Sequence, residues 1–314
     1  MKFFQSLKEI AFFASLKALG YCFLYLPHFL RLGFAKGIAL LLYLLDSRRK
    51  FDLLANLDFA YNESLTETQK QEILKTNYVN LVYNSIAFFM LSVSHKQHIL
   101  EKISFENPEI IESLLQKGER IIFVTAHYGN WEYALPAFSC YFNHPITALA
   151  RMTNNALYDS YLIQTRSKFQ IKILNKGGGG AMLGLVKALK KNKVVGAVTD
   201  QNTKKSDGLL VKFFGKNVRH TPIASILALK YNAKIVHAFT SYSKDYRKII
   251  IKILPPITFH KTDDLQADIQ NLTQIQSDIL EQAIRENPKE WLWFHRKFKN
   301  QYEHIYENPN HQTQ

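Results

Sequence analysis

The sequence predicts an α/β protein, with a mostly parallel central sheet flanked by helices and preceded by an N-terminal helical, membrane-associated region. Three observations predict it. Up to about residue 100 the apolar positions recur at helical spacing. From 101 onwards short β-branched runs alternate with helical stretches, the order that a parallel sheet needs because each crossover is a helix. A chain of 314 residues, 47% of them hydrophobic, is long enough for one such domain and a helical region beside it. The expected division is 1–100, helical, and 101–314, the α/β domain.

Residues from about 10 to 45 are rich in Phe, Leu and Ala, but Lys17, Pro27, Arg31 and Lys36 interrupt them. No uncharged run therefore reaches the roughly 18 to 20 residues of a standard membrane span. Basic residues among aromatics, followed by Arg48-Arg49-Lys50, instead suit an anchor lying in or dipping through an anionic leaflet. A buried helical hairpin is the alternative. A secretory signal is disfavoured, since no small-residue cleavage pattern follows a short apolar region. Next, "SLTETQKQEILKTNYVNLVYNSIAFFML" offers Ser64 or Thr66 as N-cap and an apolar face through Ile73, Tyr78, Leu81 and Ile86. Strands are expected at 121–126, 146–150, 171–174, 194–199, 234–242 and 248–254. The last two read as an antiparallel hairpin around Lys244-Asp245, at the periphery of the sheet.

The formal net charge of +14 points to acidic partners. They include nucleic acid, anionic lipid headgroups, phosphorylated substrates and an acidic carrier protein, and no arginine-rich tail or zinc-finger spacing is present. Two cysteines, Cys22 and Cys140, make no disulfide framework, and a reducing compartment is the default.

Ligands of open α/β sheets gather outside the carboxyl ends of the strands. His127 stands there after 121–126, Arg151 after 146–150, and Asp200-Gln201 after 194–199. If those strands are parallel neighbours, these side chains meet on one edge. "TAHYGNWEYALPAF" (125–138) adds Glu132. On a continuous helix His127 and Glu132 would lie about 140° apart, sharing no face. A strand-to-helix turn removes the conflict: His127 ends the strand, Gly129 permits the bend, Asn130 can cap the helix, and Glu132 lies in its first turn. Glu132 can then accept one imidazole N–H and leave the other nitrogen free as a general base. The alternative is an ordinary turn histidine beside a helix-dipole residue. Pro136 fits poorly, since a helix starting here should kink or begin later.

"HYGNWE" resembles the H-(F/Y)-G-N-W-E signature of the bacterial lipid A late acyltransferases, the lauroyl/myristoyl branch of the lysophospholipid acyltransferase superfamily. "ARMTNN", Arg166, "VTDQN", "GLLVKFFGKNVRHTP" and "NPKEWLWFHRKFK" follow in the family's order, and the similarity covers most of the chain. The resemblance implies a glycerophosphate-acyltransferase-like fold at the cytoplasmic face of the cell inner membrane. It implies acyl transfer from acyl-acyl carrier protein to a hydroxyl on an acyl chain of a phosphorylated lipid A precursor, of the Kdo-lipid IVA type. His127 would be the general base and Glu132 its support, Arg166 would stabilise negative charge or bind a phosphate, and Arg151, Asp200 and Gln201 would shape the same pocket. Arg219-His220 stands where the family usually has small residues. No cofactor and no nucleic-acid partner are implied. A glycerophospholipid acyltransferase of the same superfamily, which typically carries H-x4-D, and a noncatalytic basic membrane-binding protein are the rival readings.

Other stretches carry less. The glycines of "NKGGGGAMLGLVKALKKNK" miss the dinucleotide register, which would need Gly or Ala at Met182 or Leu183. They read as a flexible loop, with phosphate contact as the alternative. "EWLWFHRKFKNQY" interleaves Trp291 and Trp293 with Arg296 and Lys297, suiting a membrane interface or a phosphate-rich saccharolipid, or core tryptophans with snorkelling cations. No metal-ligand spacing is present. Ser139 and Cys140 sit in an apolar helix with no nucleophile elbow around them.

Overall fold

The computed structural model describes residues 2–153, 155–177, 180–191 and 194–307. Five helices come first: α1 (Lys2–Tyr25), α2 (His28–Leu45), α3 (Ser47–Tyr61), α4 (Glu67–Val93) and α5 (Lys96–Lys102). Pro27, which cannot continue α1, begins α2 by accepting the Arg31 N–H. Thr66 starts α4 through a capping box with Gln69, satisfying two otherwise orphaned donors. Ile73, Tyr78 and Ile86 are buried as the periodicity requires.

Arg31, expected to break the apolar run, is buried at 4% exposure, and its guanidinium donates to the Phe23 carbonyl at 2.7 Å. The charge turns inward and the outer face stays apolar, with Tyr25, Phe29, Leu41 and Leu45 exposed. Despite Arg31 and Lys36, α2 is therefore long and apolar enough to cross a membrane by length and composition.

The remaining elements are β1 (Ile103–Glu106), α6 (Glu109–Gln116), β2 (Arg120–Thr125), α7 (Trp131–Phe142), β3 (Ile146–Ala150), α8 (Ala156–Ser167), β4 (Ile171–Asn175), α9 (Ala181–Lys190), β5 (Val194–Val198), β6 (Leu209–Phe213), β7 (Lys216–His220), α10 (Ile223–Tyr231), β8 (Ala233–Tyr242), β9 (Ile249–Ile253) and α11 (Leu265–Glu286). Seven strands form one sheet in the order β1-β9-β8-β2-β5-β3-β4. From β8 to β4 every pairing is parallel, while β9 runs antiparallel to β8. The β8–β9 hairpin is as expected, but β8 sits inside the sheet against β2, and β1 covers the edge.

Strand alternation sorts the side chains onto two faces. Register places Phe123, Ala148, Ile173 and Gly196 on one face. That face shares a core cluster with α7 and with the N-terminal helices. Ile122 and Val195 lie on the other, in a second cluster with α9 and α10.

Candidate active site

β2, β5 and β3 are contiguous and parallel, so their carboxyl ends bring His127, Arg151 and Gln201 to the rim of one cavity, with Asp200 behind them. The turn after β2 is held by backbone. Gly129 has φ +53°, and a Cβ there would meet the Thr240 carbonyl oxygen at 2.0 Å. Only glycine fits. The Gly129 N–H donates to the Glu290 carbonyl, the Leu292 N–H donates to the His127 carbonyl, and Asn84 Nδ2 donates to the Gly129 carbonyl at 2.7 Å. α4 and the C-terminal segment thus clamp the turn.

The imidazole is fixed by Asp200, not by Glu132. His127 Nδ1 lies 2.8 Å from Asp200 Oδ1, and the His127 backbone N–H donates to Oδ2 at 3.1 Å. Trp291 Nε1 donates to Oδ2 as well, at 2.9 Å. A carboxylate only accepts, so Nδ1 carries the proton and Nε2 presents its lone pair. Gln201 Nε2, 3.2 Å away, donates to that lone pair. Trp131 leans on the ring with centroids 5.2 Å apart.

Glu132 instead accepts two hydrogen bonds from Arg166 Nη2, at 2.9 and 3.2 Å. The turn brings its carboxylate near, but α8 supplies a guanidinium that engages both oxygens, the better partner for a carboxylate. Asn130 occupies the N-cap position without a side-chain cap, and its Nδ2 donates to the Tyr242 hydroxyl at 2.8 Å. α7 begins at Trp131 with Pro136 inside it, so the start is not delayed. The proline removes the N–H that would have met the Glu132 carbonyl.

Burial pushes the His127 pKa down, but the charge and hydrogen bond of Asp200, helped by Glu132, outweigh it and hold the imidazole above its ordinary 6.5. Burial would raise Asp200, yet the paired imidazole and the Trp291 donor keep it well below the usual carboxylate range. Asp200 is 2% exposed with both oxygens engaged. It stands behind the imidazole and does not line the cavity.

The cavity holds about 420 Å³ and is apolar away from the rim. Arg151, Arg166, Lys176, Gln201 and His295 ring its mouth along with His127. Lys176 and His295 were missed in the sequence. Lys176 ends β4 as Arg151 ends β3, so the strand-end rule could have found it. His295 accepts the Asn202 N–H at 2.8 Å, and burial pulls its pKa down to about 4.

The C-terminal aromatics are core, not an interfacial patch. Trp291 and Trp293 are 1% and 0% exposed, and Arg296 makes two 2.8 Å hydrogen bonds to Asp52. Lys297 is buried over Phe213, and desolvation lowers its pKa to about 8. Gly178 and Gly179 of the glycine-rich stretch lie outside the described residues. Among the described residues, no group of three or more His, Cys, Asp or Glu is placed to hold a metal ion.

Parallel strand ends that present a carboxylate-bonded imidazole to apolar space define an α/β protein with a strand-end histidine facing a largely apolar cavity. The chain belongs to the bacterial lipid A biosynthesis acyltransferase family, whose model matches residues 2–300. Relatives from Escherichia coli K12 agree. Identity is 29% to the lipid A biosynthesis palmitoleoyltransferase, over 49% of this chain and 48% of the relative. It is 20% to the myristoyltransferase, over 81% and 76%, and 21% to the lauroyltransferase, over 89% and 88%. The chain thus spans about half the length of the first and most of the other two.

Proposed function

We propose that this protein transfers a fatty acyl chain from acyl-acyl carrier protein to a hydroxyl of a phosphorylated lipid A precursor of the Kdo-lipid IVA type, in lipopolysaccharide biosynthesis. The observation that carries the proposal is the pairing of His127 with the buried Asp200 at the mouth of an apolar cavity, in a chain of this family. His127 Nε2 takes the proton of the acceptor hydroxyl, and the oxygen attacks the thioester carbonyl. Arg166, held by Glu132, stabilises the negative charge that develops on the carbonyl oxygen. The carbon–sulfur bond breaks, and the imidazolium returns its proton to the leaving thiolate. Asp200 keeps the ring in the reactive tautomer throughout. Glu132 supports His127 through its charge and through Arg166.

The rest of the molecule has a place in this reading. The exposed apolar faces of α1 and α2 lie in the cell inner membrane from its cytoplasmic face, where a net charge of +14 favours anionic lipid, an acidic carrier and a phosphorylated acceptor. Arg151 and Lys176, on the rim, suit phosphate.

The purified full chain in detergent, given acyl-acyl carrier protein and the precursor, is expected to add one acyl chain's mass, and His127→Ala to add none. A His127→Ala variant as fast as wild type contradicts the proposal. Acylation of lysophosphatidic acid but not of the precursor would reassign the acceptor.

A further inference from the structure

The cavity beside His127 reaches both faces of the sheet. Leu135 from α7, with Ala148, Ile171, Ile173 and Gly196, lines it on the α7 face. Ile122, Val195 and Ala197 line it on the opposite face, with Leu185 from α9 and Leu227 from α10. Successive residues of one strand point to opposite sides of a sheet, so Val195 and Gly196 border this cavity from opposite faces. Two apolar lobes therefore diverge from the polar rim on which His127 stands.

Small residues border both lobes. On the α7 side a Cβ at Gly196 would come within 2.8 Å of a Leu135 methyl. On the other side Ala197 points towards α9 and α10, where a longer side chain would fill the space.

We infer that the lobes bind two alkyl chains at once: the α7 lobe takes the tail of the acyl donor, and the α9/α10 lobe takes an alkyl chain of the acceptor next to the hydroxyl being acylated. The assignment of tails rests on the proposed function. Arg166 and Trp131 stand at the rim on the α7 side, so a carbonyl stabilised by Arg166 sends its tail into that lobe. The acceptor hydroxyl must approach Nε2 from elsewhere, and the second lobe gives its chain apolar cover. One apolar lobe is enough for an enzyme that acylates a water-soluble acceptor. Two lobes sharing one base suit the joining of two lipids.

Binding can be tested apart from catalysis by photolabelling the full chain with dodecyl phosphate carrying a terminal diazirine and mapping the labelled peptides by mass spectrometry. Label is expected in the peptides of both Leu135 and Leu185 or Leu227. Ala197→Leu should abolish only the second set, and Gly196→Ala, which drives Leu135 into its lobe, should diminish only the first. Label confined to one face in the wild type, or lost together in both variants, overturns the inference whatever the activity. In the transfer assay, Gly196→Ala should shift donor preference to shorter chains. Ala197→Leu should raise KM for the acceptor with donor preference unchanged, and the reverse pattern overturns the assignment of tails. If both faces are labelled but no acyl transfer occurs, the proposed function fails while the two lobes stand. A thermal melt of each variant confirms that it is folded.

Discussion

Asp200 and His127, 73 residues apart in the chain, meet at 2.8 Å, whereas Glu132, five residues from His127, turns away to Arg166. The proximity that the sequence offered is not the pairing that the fold makes.

Replacing Asp200 by Asn removes the acceptor that fixes the Nδ1–H tautomer. The rate should fall on the order of 10²-fold or more, as when a general base is lost or misplaced. Since Asp200 holds the His127 pKa above 6.5, the wild-type rate should rise with pH through a value above 6.5, as the imidazolium loses its proton. In Asp200→Asn that limb should move to lower pH. A pH–rate profile of each protein checks it.

Glu132→Gln should behave differently. It frees Arg166 and removes a minor charge near the ring, so the rate should drop while the pH limb stays close to that of the wild type. Arg166→Ala should cost on the order of 10² to 10³ in kcat, the usual result of losing one donor to a developing oxyanion. Steady-state kinetics of the two variants separate these effects.

Gly129→Ala should unfold or strongly destabilise the protein. The positive φ alone costs about 1–3 kcal/mol, and the new methyl would overlap the Thr240 carbonyl. Circular dichroism melts measure the loss.

Arg296→Ala should lower stability without releasing the protein from membranes. It leaves Asp52, 6% exposed, without its cation, at a cost of about 1–3 kcal/mol, towards the lower end because Arg296 is partly exposed to solvent. Melting and vesicle flotation of the same variant distinguish a core role from a surface one.

The parallel strands were legible because short β-branched runs signal buried strands directly. β1 was not, since its four residues follow a helix without a break in polarity. The β6–β7 hairpin hid for another reason. Its two-residue loop, Phe214-Gly215, has both φ positive, at 52° and 72°, and phenylalanine rarely signals such a turn. At the site, strand ends and the glycine bend could be read along the chain. The exchange of partners between Glu132 and Asp200 could not, because it depends on α8 delivering Arg166 across 34 positions. Whether Trp291 and Arg296 lie in the core or at an interface stayed open in the sequence because their partners, Asp200 and Asp52, are distant along the chain.

The central claim is that an imidazole oriented by Asp200 activates a hydroxyl of a lipid A precursor for acylation. Mass spectrometry of lipid A from cells lacking this protein, complemented with wild type, His127→Ala or Asp200→Asn, tests it most directly. The account predicts that the deletion loses the mass of one acyl chain, that wild type restores it, that His127→Ala does not, and that Asp200→Asn restores little. Lipid A of unchanged mass in the deletion, or full restoration by His127→Ala, would contradict it.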